Sequence, residues 1–406
     1  MQSTIDQSHA GSARPLPPRR LRLAPKDLLH NVGFRSWAYQ ILVVASVIAI
    51  AVYLVSNAQE AMQKRGIATG FGFLFEEAGF DIGEAPIAFE SSNSYLRAYG
   101  AAFLNTLKVS ILSIAFATLF GLVLGIARLS SNLLVAKLSS AYVELFRNTP
   151  QLVQIIFWYT LITQLPPPKQ AVSLFDWVFL TNRGLILPWP EADPVYLWTV
   201  LTLLAAILVA LLVVRWADTR QRRSGRRVSV LWVNLALIVA APLAVWVLGG
   251  APRDFEVPRL QGFNFVGGLT LSPEFLALLL GLSLYIAAFI AEIVRSGIQS
   301  VGKGQIEAAR AICLRPGDRY RRVILPQALR VMVPPAAAQY VSLVKNSSLG
   351  VAIGYPELFN VNNTIITLSG HTVEAIAMMM AMYLSISFTI AVLMNLYNRA
   401  VQIKER

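Results

Sequence analysis

The sequence predicts an all-α integral membrane protein with about eight transmembrane helices. Three observations predict it. First, charged residues are only 14% of the chain, against about 25% in soluble domains, and mean hydropathy is +0.56. So few charges cannot cover a soluble surface. Second, apolar runs of about 20 residues recur, the length that crosses ~30 Å of hydrocarbon at 1.5 Å per residue. Third, the basic residues collect in segments that fall on one side once those runs are threaded through a bilayer. Other classes fit poorly. Cys313 is the single cysteine, which excludes an intrachain disulfide. His9, His30 and His371 are far apart and lack metal-ligand spacing, so neither metal nor cofactor is expected.

Taken in order, residues 1–36 form a basic tail with Arg14, Arg19, Arg20, Arg22, Lys26 and Arg35. The first span is Trp37–Val55. Ser56 and Ala58 resemble a signal cleavage site, but a leader of about 36 residues is too long for an ordinary n-region. The expectation is an uncleaved anchor. The loop Gln59–Arg97 carries Glu60, Glu76, Glu77, Asp81, Glu84 and Glu90 against Lys64, Arg65 and Arg97. Further spans are Ala102–Ala127, Tyr196–Arg215, Val230–Leu248, Pro273–Ile293 and Val373–Tyr397. Two apolar segments are interrupted. Ser139–Leu165 carries Glu144, Arg147 and Pro150; Val331–Phe359 carries Pro334, Pro335, Lys345 and Pro356.

The basic tail, the short Arg215–Arg227 loop, the Arg295–Arg330 loop and Arg399, Lys404 and Arg406 then share one side. Both termini are expected in the cytoplasm. The net charge of +13 is accounted for by orientation and contact with lipid headgroups, without nucleic acid.

The segment Gly302–Arg330 reads as a helical hairpin on the cytoplasmic face. Its first helix, Gln305–Leu314, would set Ile306, Ala309 and Cys313 on one face. Pro316 and Gly317 punctuate it, and a second helix, Asp318–Ile324, is expected to end at Pro326. Such a loop suits either a membrane surface or a docking partner, which small Ala308 and Ala309 would let approach closely.

The interrupted spans hold the charges. A charge at the bilayer centre costs about 2.5–3.5 kcal/mol or more, so such groups should face the bundle interior, a partner or a water-filled path. Glu144 is spaced to pair with Arg147 on one helix face, and Glu292 is a second candidate partner. Lys108, near the outer end of its span, is expected to form a structural pair that fixes helix packing or to snorkel to an interface. Pro150, Pro334, Pro335 and the Asn346-Ser347-Ser348 run should break helices, and broken helices expose backbone that can hold a zwitterion. Arg147, Asn148, Thr149, Lys345, Asn346 and Ser347 are the candidate substrate-path residues, with Glu144, Gln151, Glu292 and Ser348 beside them.

These segments carry a resemblance. Glu307-Ala308-Ala309, followed by Val323-Ile324-Leu325-Pro326, resembles the EAA loop of ATP-binding-cassette importer permeases. FRNTPQLVQ (Phe146–Gln154) is similar to the FRGTP motif of the polar-amino-acid branch, with Asn148 where glycine is usual. KNSSL (Lys345–Leu349) resembles its KNTSL motif, and Glu292 within AEIVRSG fits the same pattern. The resemblance covers about Tyr99–Pro166 and Ser272–Arg399. It implies a type I importer permease core over about 99–400, preceded by a first span and periplasmic loop over 37–98. An insertion at about 167–271 holds two further spans. That enlarged layout is similar to permeases of broad-specificity L-amino-acid importers.

The resemblance further implies a coupling loop at about 295–330 that seats on an ATPase subunit through Glu307, Ala308, Ala309, Cys313, Leu314, Pro316 and Gly317. The family's glycine falls at Cys313, which leaves Gly317 as the candidate for a left-handed turn. Partners implied are ABC ATPase subunits, a periplasmic amino-acid-binding protein and a second permease, for which the enlarged layout favours a distinct chain. The location implied is the bacterial inner membrane.

No catalytic constellation is visible, and Gly302-Lys303-Gly304 lacks the Ser or Thr and the preceding strand of a phosphate loop. ATP would be hydrolysed by a separate subunit. The rival expectations are an ion-coupled secondary amino-acid transporter working without an ATPase, and a membrane scaffold that transports nothing.

Overall fold

The computed structural model describes residues 32–64, 69–224 and 230–401. Residues 1–31 of the basic tail, residues 65–68, residues 225–229 with Arg226 and Arg227 of the expected loop, and residues 402–406 lie outside that set. The chain divides into two units, Met1–Thr69 and Gly70–Arg406. The first unit holds one described helix, α1 (Val32–Lys64), which includes an apolar stretch Arg35–Asn57 long enough to span a membrane.

The second unit is mostly helical. It contains α2 (Tyr95–Ala127), α3 (Leu133–Asn148), α4 (Gln151–Thr163), α5 (Pro194–Ser224), α6 (Leu231–Leu248) and α7 (Pro273–Gln299). There follow α8 (Lys303–Ala311), α9 (Pro316–Arg319), α10 (Leu325–Asn346), α11 (Leu358–Ser369) and α12 (Thr372–Val401). Among the described residues 6 helices are long and apolar enough to cross a membrane. They coincide with the uninterrupted stretches read from the sequence. The interrupted segments are α3 with α4, and α10 with the 3₁₀ turn Ser347–Ile353 and α11.

The heart of this unit is a parallel pair, α2 and α7. A Cβ on Gly121 would lie 2.7 Å from Ile290 Cβ, and one on Gly125 would lie 2.6 Å from Val294 Cβ. The two backbones approach closely because these positions carry no side chain, the usual device where lipid supplies no hydrophobic drive between helices. Phe275, Leu278, Leu282 and Ile286 of α7 form the buried core with Ile155 of α4 and Leu343 of α10. At one end, residues 70–94 fold back on the bundle. Phe73, Leu74, Ala78 and Ile82 pack on Tyr95, Ala98, Tyr99 and Ala102 of α2 and on Leu358, Val361 and Ile365 of α11.

Proline acts differently at different places. Before Pro150, Thr149 is extended, with φ −99° and ψ 131°, so α3 and α4 are separate helices as expected. Pro334 and Pro335 do not break α10, contrary to expectation; they lie inside it, beside buried Met332 and Val333. Packing by neighbouring helices sustains the geometry that an isolated helix would lose. Pro326 does not end the preceding helix either. The chain widens to a π-helical turn, Tyr320–Ile324, in which the Leu325 N–H bonds the Tyr320 carbonyl, and then continues into α10.

The insertion holds a feature that periodicity did not reveal. Besides the α5–α6 hairpin it carries short strands: β1 (Val172–Leu174), β2 (Val178–Thr181), β3 (Gly184–Leu187), β4 (Trp189–Pro190), β5 (Phe255–Glu256), β6 (Arg259–Gln261), β7 (Asn264–Val266) and β8 (Leu269–Leu271). The strands β1-β2-β3-β8 form an antiparallel sheet, β4 pairs with β5, and β6 with β7. Leu185 faces Leu271 and Leu187 faces Leu269, so the insertion leaves and rejoins the bundle at one place. The expected Arg215–Arg227 loop begins later than foreseen, because α5 runs to Ser224 and carries Arg215, Arg220, Arg222 and Arg223 on helix.

Candidate functional site

The turn after α8 is built by a specific set of backbone bonds. The Cys313 N–H bonds the Arg310 carbonyl at 2.8 Å and the Leu314 N–H bonds the Ala309 carbonyl at 3.1 Å. With Ile312 as the last helical-end residue, these are the two bonds of a Schellman closure. Cys313 occupies the position glycine usually takes, and its φ is 55°. Gly317 does not supply the left-handed residue; it sits at ordinary φ inside α9, and Pro316 starts that helix as expected. The turn therefore keeps its register with a cysteine bearing the strain. Cys313 also lies past the end of α8, at Ala311, so it does not share a helix face with Ile306 and Ala309.

α8 has two sides. Ala309 is buried and Ile306 packs against the core, which fixes the helix to the bundle. Glu307, Ala308, Ala311, Ile312 and Cys313 are exposed, and Leu314 is half-buried. Ile312 is 71% exposed, a large apolar side chain on the surface of the loop. Asp318 and Arg322 pair at 3.2 Å on the following turn.

The second region is the meeting of the broken helices. Asn346 Nδ2 donates to Gln151 Oε1 at 2.6 Å, joining the end of α10 to the start of α4. Gln154 Nε2 donates to the carbonyls of Phe146 and Thr149 at 2.9 and 3.1 Å, tying the open end of α3. Thr149 and Ser348 hydroxyls close on the carbonyls of Leu145 and Lys345, and Ser347, fully buried, bonds the Val344 carbonyl. Gln151 and Asn346 are thus brought together; the other predicted groups are spread. Glu144 and Arg147 form no ion pair with each other among the described residues. Arg147 instead lies 5.1 Å from the centre of the Phe289 ring. Glu292 is not its partner: Arg128 and Arg295 hold both carboxylate oxygens. Glu144, Arg147, Asn148 and Lys345 are all exposed on this chain. Lys345 lines a groove of about 490 Å³ between α10 and α12 together with Ser342, Asn395 and Asn398.

Of the two roles expected for Lys108, the structure shows the structural pair. Lys108 pairs with Glu84 at 2.6 Å, and its ammonium lies 4.4 Å from the centre of the Phe275 ring. Glu84 also takes the Ser272 hydroxyl, while its backbone carbonyl accepts from Asn105 Nδ2 at 2.7 Å. This clamp roofs a cavity of about 480 Å³ lined by Asp81, Glu84, Glu274, Asn360 and Thr364. Sequence reasoning missed Arg128, Glu84 as a clamp, and Glu357. The last is fully buried and caps α11, accepting from the Phe359 and Asn360 N–H groups at 2.8 Å, with the Tyr383 hydroxyl donating at 2.6 Å. A carboxylate directly before a helix start was its one available signal.

Residues 202–404 match the family described as "Binding-protein-dependent transport system inner membrane component". The chain is 45% identical over 93% of its length to the "Putative amino-acid ABC transporter permease protein YhdX" of Escherichia coli, covering 96% of that protein. It is 42% identical over 94% of its length to the "General L-amino acid transport system permease protein AapQ" of Rhizobium johnstonii, again covering 96%. The "Glutamate/glutamine/aspartate/asparagine transport system permease protein BztB" of Rhodobacter capsulatus is 39% identical over 93% of this chain and 96% of its own length.

Proposed function

Since the chain belongs to the binding-protein-dependent transport system inner membrane components, as a permease subunit of an amino-acid ABC importer, we propose that it passes L-amino acids into the cytoplasm and takes its drive through α8. The observation that carries this reading is the Schellman-closed turn, anchored by Ile306 and Ala309 and presenting Glu307, Ala308, Ile312 and Cys313 outward. A partner that grips the exposed face moves α7 through the three residues that separate it from α8.

The family works with an ATPase and a binding protein. The finer assembly is inferred. The α8 end faces the cytoplasm, where the arginines gather, and a periplasmic binding protein approaches the end roofed by residues 70–94. Arg147 and Lys345 are exposed on segments otherwise apolar, and a charge turned to lipid costs about 2.5–3.5 kcal/mol or more. Those faces therefore point to a second permease or to the aqueous path between the two. A distinct second chain suits the enlarged layout. Relatives named for general L-amino acids and for glutamate, glutamine, aspartate and asparagine support a broad L-amino-acid substrate class.

In this mechanism, closure of the ATPase dimer displaces α8 and reorients the α3–α4 and α10–α11 elbows around Gln151 and Asn346. Substrate shifts the balance only through different affinities for the two states. The test is Glu307→Lys in the reconstituted importer, reading ATPase stimulation by loaded binding protein and uptake of a panel of radiolabelled L-amino acids. Loss of both supports the reading. Unchanged stimulation with unchanged uptake refutes drive through this loop, and uptake by this chain alone on an ion gradient refutes the ABC assembly.

A further inference from the structure

Glu292 lies on α7 about two turns before the helix ends. Both of its oxygens are engaged. Arg128, the residue that closes α2, donates Nη1 to Oε2; Arg295 donates Nη2 to Oε1, with Nε 3.3 Å from Oε2. The pattern extends at both ends. Arg128 Nε donates to Ser140 Oγ on α3 at 3.3 Å, and Arg295 Nη1 donates to Gln299 Oε1 at 2.7 Å. Gln299 is the last residue of α7, and α8 begins at Lys303. An unbroken run of side chains thus leads from Ser140 through Arg128, Glu292 and Arg295 to the threshold of α8.

Adhesion alone does not explain this run. α2 and α7 are already interlocked at Gly121 and Gly125, and the desolvation of a half-buried ion pair offsets much of its attraction. What charged, multidentate bonds add is fixed geometry. α3 otherwise meets α7 through Val143 against Ala288 and Ala291, through the Tyr142 hydroxyl on the Leu284 carbonyl, and through the Arg147 guanidinium over the Phe289 ring. These contacts lie farther from α8, and the nonpolar ones allow sliding. α3 in turn leads directly to the Thr149–Pro150 break.

We propose that Arg128 and Glu292 are positioning residues for energy coupling: they make the ends of α2 and α7 and the body of α3 move together, so that displacement of α8 reaches the α3–α4 elbow. The proposal rests on the reading that α8 receives the ATPase's motion.

The experiment compares Arg128→Gln, Arg128→Lys and Ser140→Ala in proteoliposomes holding the whole importer, with a mixture of ¹⁴C-labelled L-amino acids as probe. It reads amino acid accumulated per ATP hydrolysed, and co-purification of the ATPase subunit. Arg128→Gln should assemble and hydrolyse ATP, yet lose about tenfold in that ratio, within the span of ordinary coupling energies. The concentration of loaded binding protein needed for half-maximal stimulation should not move. Arg128→Lys keeps one charge contact and should recover most of the ratio. An assembled Arg128→Gln importer with the normal ratio overturns the proposal. If that variant does not assemble, Ser140→Ala decides: a lowered ratio supports the proposal and a normal one overturns it. Glu307→Lys runs alongside. Its failure to alter stimulation would refute the role of α8 itself, whereas a normal ratio in Arg128→Gln with an affected Glu307→Lys would refute only the positioning role.

Discussion

Replacing Cys313 by glycine should tighten the turn that closes α8. A side chain at φ 55° is held in the left-handed region, which costs a non-glycine residue about 1–2 kcal/mol. Glycine removes that strain but gains freedom when the turn opens, a penalty of about 0.5–1 kcal/mol. The difference leaves a net gain of about 0.5–1 kcal/mol for the closed turn, which is a two- to fivefold larger protection factor by the same energies. The bonds that report it are the Cys313 N–H to Arg310 carbonyl and Leu314 N–H to Ala309 carbonyl.

Hydrogen exchange followed by mass spectrometry, on peptides covering residues 309–315 of the chain in nanodiscs, reads those amides directly. Protection should rise in Cys313→Gly, stay near the natural level in Cys313→Ala, which keeps the Cβ, and fall in Cys313→Val, whose branched side chain fits φ > 0 worst. Equal or lower protection in Cys313→Gly, with neighbouring peptides unchanged, would show that the turn is not strained and that the left-handed residue does not govern its register.

Other substitutions probe the bundle and the site. Gly121→Val places a branched side chain where a Cβ alone would sit 2.7 Å from Ile290 Cβ; the folded, monodisperse fraction in fluorescence-detected chromatography should collapse, since overpacking costs about 1–3 kcal/mol or more. Asn346→Ala removes the donor to buried Gln151; an unsatisfied amide costs about 1–3 kcal/mol, so the melting temperature should fall and uptake with it. Ile312→Asp puts a charge on the most exposed apolar side chain of the turn after α8; if the proposed docking holds, affinity for the ATPase subunit drops about tenfold or more while the isolated chain melts as before.

Much of the fold was legible because a bilayer imposes one length. The stretches Pro273–Ile293 and Val373–Tyr397 could be read as spans without knowing any neighbour, and they lie inside α7 and α12. Strands of two to four residues, such as Trp189–Pro190 and Leu269–Leu271, offer no such signal; their pairing joins chain segments separated by the whole α5–α6 hairpin. Proline was legible only in part. Thr149 yields to the steric demand of Pro150 and turns extended, whereas Leu325 before Pro326 stays helical, following a turn widened so that the Leu325 N–H bonds the Tyr320 carbonyl. The local rule is the same in both places, and the surroundings decide which relief is available.

The charged residues show the same division more sharply. Glu144–Arg147 and Glu292–Arg295 have identical spacing on their helices, yet only the second pair forms. Spacing states what a helix permits; which pair closes depends on what else arrives. Arg128 reaches Glu292 from 164 residues away in sequence and orients that carboxylate toward Arg295, while Phe289 supplies Arg147 with a ring face in place of a carboxylate. Gln151 and Asn346, also far apart in the chain, were both recognisable as polar groups in broken segments, although nothing in their spacing foretold that they would bond to each other. What remains exposed is equally informative: among the described residues Glu144, Arg147 and Lys345 form no ion pair, although a charge left facing hydrocarbon costs about 2.5–3.5 kcal/mol or more.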